Sequence, residues 1–435
     1  MLLTAVMLLT MGVIAPYSAL ADDVVTASSG WKYSVTTIDG KSSAMIKGYT
    51  KDMSTLNIPS KIDGYTVTKI GDYVFSEETS VLSITIPDTV TEIGAAAFRG
   101  CCNAKTINLG KSIKKLGMYA FAGTAISKIV FPDSITTMDE AILSGCTSLK
   151  SITLSSNITE IPTYFCNSTA IEDIIIPEGV ETIKGTAFFE CRSLKTVYAP
   201  STLKYIYDSS FDGDTSLKNI YLPEGFKSFG QQAFRNCKSL EVITFPSTVT
   251  SVGTEAFSGC TSLKAVIAKC NDSFMYGNAV GFDTSYNLIP GVVIYCTAGS
   301  KIYDYAVDNG ITTRALSSAP ADPSANLKVP SIDNAVVSGI KAKTYTGKPL
   351  TQSPVVKVNG VTLVNKTDYT LSYNNNVNVG TASVTVNGKG SYKGSKTFTF
   401  KINKANNTLS AKGKSPVVKY LNLKKKSLSI KLQRL

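Results

Sequence analysis

Residues 88–107 read DTVTEIGAAAFRGCCNAKTI, and residues 247–266 read STVTSVGTEAFSGCTSLKAV. Such an echo constrains the fold more than any local propensity, because a fixed period means that one structural unit is stacked many times. The period is 22 or 23 residues and is marked by Phe75, Phe98, Phe121, Leu143, Phe165, Phe188, Phe211, Phe234 and Phe257. Each unit also carries a short alternating run, the signature of a strand with one face buried. Its inward pairs are Ile84/Ile86, Ile107/Leu109, Ile129/Phe131, Ile152/Leu154, Ile174/Ile176, Val197/Ala199, Ile220/Leu222, Ile243/Phe245 and Val266/Ala268.

Five or six residues cannot cross a globule, so each run is one rung of a stack. Proline follows the strand at Pro59, Pro87, Pro132, Pro177, Pro200, Pro223 and Pro246, where a missing N–H ends the ladder at little cost. Gly71, Gly94, Gly117, Gly230 and Gly253 lie four residues before the Phe and are expected to let the chain bend toward it. One rung buries too little apolar surface to offset the entropy of ordering its backbone. Stability must therefore come from pairing and burial between neighbouring rungs.

Taken together, the pattern LKxIxΦPxxVTxIGxxAFxxCxS, clearest in CTSLKSITL, CRSLKTVYAP and CKSLEVITFP, resembles the BspA-like class of bacterial leucine-rich repeats over roughly residues 54–313. Leu143 in place of Phe, and the Cys moved to position 166, are departures from it. The resemblance implies a curved right-handed solenoid, mostly β, with a parallel sheet on its concave face. It also implies a secreted or surface-attached protein that binds other macromolecules.

The ends carry different signals. Residues 1–21 hold no charge and finish in Ala19-Leu20-Ala21, the pattern of a signal peptide removed on export, which leaves no transmembrane span in the mature chain. Residues 22–53 alternate around an Asp39-Gly40 turn and read as a hairpin capping the first rung, with Trp31 as a cap residue. The repeats and a C-terminal cap with a short helix ended by Gly310 occupy 54–313, and an Ala/Ser/Pro-rich linker occupies 314–331. Residues 332–404 show the short strands of an all-β sandwich, with Asn359-Gly360 as a hairpin turn. Within it YTGKPL, DYTLSYNNNVNVGTASVTVNGKGSYKG and FTFKI resemble the bacterial Ig-like modules found beside such repeats. Residues 405–435 read as a basic tail or the start of a further module.

The net charge of +12 divides unevenly: residues 1–331 carry 26 Lys plus Arg against 30 Asp plus Glu, and residues 332–435 carry 18 against 2. A near-neutral repeat region argues against nucleic acid as its partner. The tail residues Lys412, Lys414, Lys419, Lys424, Lys425, Lys426, Lys431 and Arg434 have no acidic neighbours and form a candidate tether to an anionic cell envelope. The competing reading is that they serve solubility only.

Catalysis has little to work with. The absence of histidine removes Ser-His-Asp and Cys-His chemistry and every His-ligated metal site. Cysteine spacings follow the repeat, unlike those of a zinc ribbon. Gly388-Lys389-Gly390 imitates a phosphate loop but lies between strands, and no Asp or Glu is seen to recur at one depth as a glycosidase pair requires. The chain thus reads as a non-enzyme with no metal or cofactor. Cys101, Cys146, Cys191, Cys237 and Cys260 hold one rung position and are expected to be buried and reduced, although Cys237/Cys260 and Cys270/Cys296 are also candidate disulfides.

The remaining choice is between an exported binding protein with a protein or glycan partner and a passive envelope spacer. The middle residues of the strands, Thr85, Asn108, Val130, Thr153, Ile175, Tyr198, Tyr221, Thr244 and Ile267, are expected to face outward. Their apolar members Val130, Ile175, Tyr198 and Tyr221 form the candidate binding stripe, or else merely suit an exposed strand.

Overall fold

The computed structural model describes residues 23–405, apart from 39, 52–53, 327–330, 359–360, 367 and 390–391. The repeat region is a β-solenoid. Its first ladder starts with Thr55–Asn57, Ser83–Thr85 and Thr106–Asn108 and continues through Lys128–Val130, Ser151–Thr153, Asp173–Ile175, Thr196–Tyr198, Asn219–Ile220, Val242–Phe245 and Ala265–Ala268. Parallel pairs such as Ile174↔Val197↔Ile220 and Ile243↔Val266↔Ile294 place equivalent residues directly above one another. All the predicted inward pairs are buried except Leu109, which is half-buried.

A second ladder runs beside the first. It is built from two-residue strands that include Glu92–Ile93, Lys115–Leu116, Glu160–Ile161, Thr182–Ile183, Tyr205–Ile206, Ser228–Phe229, Ser251–Val252 and Phe274–Met275. Between the ladders the proline turns the chain: the carbonyls of Pro87, Pro132, Pro177, Pro223 and Pro246 each accept the N–H three residues on. Proline can do this because its own missing N–H is not needed there.

The phenylalanines form the interior spine. Rings stack at 5.5 Å between Phe75 and Phe98, 5.1 Å between Phe188 and Phe211, 5.0 Å between Phe211 and Phe234, and 5.2 Å between Phe234 and Phe257. One expectation is corrected. The amide of Cys166 donates to Ala187, just as Phe98 donates to Ala120 and Phe188 to Ser210, so Cys166 and not Phe165 holds the ring register in its rung. Phe165 stays buried one residue earlier, 6.3 Å from the Phe131 ring.

The glycines four residues before the Phe are also reinterpreted. Gly94, Gly117, Gly230 and Gly253 do not adopt the left-handed conformation; a Cβ on Gly117 would lie 2.5 Å from Ala95 N, and one on Gly253 2.5 Å from Gly230 C. They allow one rung to rest on the backbone of the next. The left-handed turns lie two residues either side of the ring position, where Tyr119 has φ 59° and Gly123 φ 70°.

At the N-terminal end Trp31–Ile38 and Lys41–Tyr49 pair antiparallel, and the latter pairs parallel with Tyr65–Ile70, which starts the second ladder. Trp31 is buried against Tyr49 and Phe75, as a cap residue should be; Asp39 of the expected turn lies outside the described residues. At the other end the helix Lys301–Asp308, capped by Ser300, buries Ile302 and Ala306. Thr312–Ala315 then pairs with Val293–Cys296, so the first two residues of the expected linker still belong to the ladder.

Residues 332–405 form two packed sheets. One contains Val336–Ser338, Val355–Val358 and Val361–Thr362; the other contains Lys343–Thr344, Tyr369–Asn374, Gly380–Gly388 and Ser395–Asn403. Val356 and Val358 of the first share a core with Tyr369 and Val386 of the second. The Asn359-Gly360 turn lies outside the described residues. No helix among the described residues is long and apolar enough to cross a membrane.

Candidate functional site

The candidate stripe lies along the first ladder at the ends of its strands, where Val130, Ile175 and Tyr198 are last residues and Tyr221 follows Ile220, and its centre is not open. Ile175 packs against the core of the C-terminal module, the cluster that contains Ile332, Val356, Leu363 and Tyr392. Tyr198 lies close enough to the Tyr392 phenol for the two to interact electrostatically. Val130, Ile175 and Tyr198 are half-buried, whereas Thr85 and Asn108 at the end of the stripe are exposed. Tyr221 is 37% exposed and shares a shallow pocket with Ala319, Pro320 and Asp322 of the linker. Ile267, expected to face outward, is buried beside that pocket. The stripe therefore meets the chain's own C-terminal residues. This corrects the expectation that the middle residues of the strands all face outward.

Two ion pairs fix that contact. Lys389 Nζ lies 2.7 Å from Asp133 and Lys393 Nζ lies 2.7 Å from Glu178. Partial burial opposes ionisation of both carboxyls. For Asp133 the ammonium of Lys389 and two donors from Ser156 outweigh that cost, and for Glu178 the ammonium of Lys393 and the Ser201 hydroxyl do so, holding each below the usual carboxylate range.

The two acids belong to a series that the sequence reading missed. Asp88, Asp133, Glu178 and Glu224 each follow the corner proline, two rungs apart, with a donor from the next rung bonded to each. Acids thus do recur at one depth, contrary to the expectation. Two rungs correspond to roughly 9.6 Å of ladder, and in the interposed rungs Ser156, Ser201 and Ser247 supply the donors. Each acid of the series also faces a lysine ammonium: Asp88 that of Lys111, Asp133 that of Lys389, Glu178 that of Lys393 and Glu224 that of Lys269.

The open aromatic surface is on the second ladder. Tyr205, Ser228, Ser251 and Phe274 are in direct register in one column. Backbone bonds place Tyr207, Gly230, Gly253 and Tyr276 at successive rungs of the adjacent column. All four aromatic side chains are exposed and stand at the corners of a Ser/Gly floor. The pairs are separated by about 14 Å along the solenoid, three rung spacings. The floor is flat because Gly230 and Gly253 have no room for a side chain. Lys184 Nζ lies 5.5 Å from the Tyr207 ring centroid and Lys301 Nζ 4.0 Å from that of Phe274.

The cysteine column is buried and its thiols are free. Each thiol donates to a carbonyl of the rung before: Cys101 to Phe75 at 3.1 Å, Cys237 to Phe211 at 3.2 Å and Cys260 to Phe234 at 3.1 Å. Cys146 and Cys191 do the same with Phe121 and Cys166. This explains why a weak donor of small volume recurs at the corner. Burial pushes the thiols of Cys101 and Cys260 up to about 12, so they are poor nucleophiles. Cys237/Cys260 and Cys270/Cys296 are not bridged. Cys102 is the exposed cysteine of the described chain. Among the described residues no group of three or more His, Cys, Asp or Glu side chains is placed to hold a metal ion.

Glu78, Thr124, Thr169 and Asp214 stand at the corners that lack the thiol, and the last is the buried acid among them. Asp214 takes the place of the cysteine and is fully buried, with neither carboxylate oxygen hydrogen-bonded. Burial, reinforced by Cys191, Asp212 and Glu190, raises its pKa well above the ordinary value.

Lys412, Lys414, Lys419, Lys424, Lys425, Lys426, Lys431 and Arg434 lie outside the described residues, as do residues 1–21 and Gly390 of the loop that imitates a phosphate site.

Among solved structures, the chain is similar to the leucine-rich repeat protein TpLRR of T. pallidum, with 28% identity and a TM-score of 0.38 over 49% of this chain and 90% of that one. It is also similar to a leucine rich cell surface protein from Faecalibacterium prausnitzii A2-165, with 24% identity and a TM-score of 0.30 over 62% and 97% of the two chains. A third is the pneumococcal vaccine antigen PcpA, with 19% identity and a TM-score of 0.29 over 68% and 98%. No curated protein matches the chain. The family profile described as BspA type Leucine rich repeat region matches residues 68–191 and 160–288 in 6 copies, together just over half of the sequence. With its two parallel ladders, stacked rings and thiol-capped corners, the chain belongs to the BspA-type leucine-rich repeat family.

Proposed function

We propose that this is an exported, cell-surface binding protein of adhesin type, whose solenoid presents the second-ladder face to a protein or glycan. The observation that carries the reading is the set of exposed aromatic corners, Tyr205, Tyr207, Phe274 and Tyr276, over a floor of Ser228, Gly230, Ser251 and Gly253. Aromatic side chains concentrate binding energy, and their faces stack on flat apolar surfaces of sugars and side chains alike. A passive spacer has no need of them. In this reading the first 21 residues direct export, residues 332–404 are an Ig-like module, and the basic tail holds the chain to an anionic envelope through contacts that salt screens.

The test is a screen of the full chain against matrix proteins, mucins and glycans, followed by the Tyr205→Ser/Tyr276→Ser variant against each hit. The expected result is at least one saturable ligand whose affinity falls tenfold or more in the variant at an unchanged melting temperature. A hit with unchanged affinity removes the aromatic face from the account, and the absence of any hit favours the spacer.

A further inference from the structure

The contact between the solenoid and its C-terminal module has the makeup of a recognition interface and not of a domain core. Its apolar centre is small, Ile175 packed against the module cluster that contains Tyr392, with Tyr198 paired to Ile175 on the next rung. Its polar part is two partly exposed lysine–carboxylate pairs, Lys389–Asp133 and Lys393–Glu178. Pairs of this kind contribute little each and weaken with salt. The match is nevertheless specific. Lys389 and Lys393 span the two-rung interval between Asp133 and Glu178, and Tyr392, next to Lys393, belongs to the module cluster against which Ile175 of the Glu178 rung packs.

Charge points the same way. Residues 1–331 carry a small acidic excess, and residues 332–435 carry 18 Lys plus Arg against 2 Asp plus Glu. A connecting segment of 316–331 keeps the module at an effective concentration in the millimolar range, enough to hold a weak contact closed in cis.

We propose that the first-ladder face bounded by Asp133, Ile175, Glu178 and Tyr198 recognises a basic polypeptide segment carrying a tyrosine between lysines. Lys389, Tyr392 and Lys393 of the chain's own module occupy that face as an internal ligand. An outside partner with such a segment binds there by displacing the module, so the face is covered until a competitor of matching chemistry, or high salt, releases it. This contact is separate from the aromatic surface of the second ladder and does not depend on it.

The experiment uses the full chain and its Lys389→Glu/Lys393→Glu variant. Small-angle scattering at 0.05 M salt should give a compact wild type and a variant with a larger radius of gyration, and 1 M salt should expand the wild type toward the variant. Adding Asp133→Lys/Glu178→Lys to the variant restores the pairs with reversed sign and should restore the compact form, which a misfolded module would not do. A synthetic peptide with the sequence of residues 386–396, VNGKGSYKGSK, should bind the Lys389→Glu/Lys393→Glu variant at least tenfold more tightly than the wild type, and lose that binding when its tyrosine becomes alanine. Identical scattering of wild type and variant at both salts would overturn the cover. An opened variant that does not distinguish the two peptides would overturn the recognition.

Discussion

Gly253→Ala is expected to destabilise the solenoid by about 3 kcal/mol, at the upper end of what one added methyl usually costs in a packed interior. The new Cβ would stand 2.5 Å from the Gly230 carbonyl carbon and 2.6 Å from the Gln231 nitrogen. Both are backbone atoms of the rung below, which no rotamer change can move aside. Relief requires the two rungs to part, which stretches the bond from the Gly253 amide to the Phe229 carbonyl. Because each rung is stabilised by its neighbours alone, a local opening is felt along the stack. Gly48→Ala is the control: its Cβ would meet only the Lys32 side chain, at 3.5 Å, and its effect should be small and of either sign. Urea denaturation of the two variants measures the difference. Equal midpoints would show that the glycines are not there for rung contact.

The second large effect is a gain. At the corner where five rungs carry a thiol and two a threonine, Asp214 buries a carboxyl with no hydrogen-bond partner. Its raised pKa means that, between the ordinary carboxylate value and the folded one, the folded chain holds a proton that the unfolded chain has lost. Stability is therefore full below the unfolded value and declines as pH rises through that window toward the folded pKa. Asp214→Cys removes the ionisable carboxyl and places a thiol in the register from which Cys237 donates to Phe211. It is expected to stabilise the chain by about 1–3 kcal/mol at pH 8, the size of one buried polar group left unsatisfied. The gap between the wild-type and variant curves should narrow as pH falls toward 4. Thermal unfolding from pH 4 to 8 reads this directly, and parallel profiles would show that Asp214 does not titrate with folding.

How much of this was legible in the sequence depends on whether a feature repeats at every rung. The inward pairs do, and the cysteines keep one rung position in five rungs, so hydrophobic alternation with a fixed period was enough to place both. Cys166 was misassigned because Phe165 beside it is equally apolar, and only the amide bond to Ala187 shows which of the two holds the register. The second ladder escaped because a two-residue strand leaves no alternation to see. Glycine's role was reversed because a close approach and a bend call for the same residue, and only the φ angle and the neighbouring backbone separate them. The acid series Asp88, Asp133, Glu178 and Glu224 was hidden by its doubled period. The covering of Ile175 and Tyr198 was not legible at all, since Glu178 and Lys393 are 215 residues apart and no periodicity links them.

The arrangement of module on solenoid decides which face of the molecule is open, and carbodiimide cross-linking followed by peptide mass spectrometry measures it most directly. The reagent joins an amine to a carboxylate only when they are in contact and leaves no spacer. In the full chain at low salt, the account predicts amide links from Lys389 to Asp133 and from Lys393 to Glu178, both lost at 1 M salt. Links from Lys195 to Glu172 and from Lys264 to Glu241, each 2.6 or 2.7 Å apart within the solenoid, serve as positive controls. Recovery of the control links without either link between module and solenoid would contradict the account.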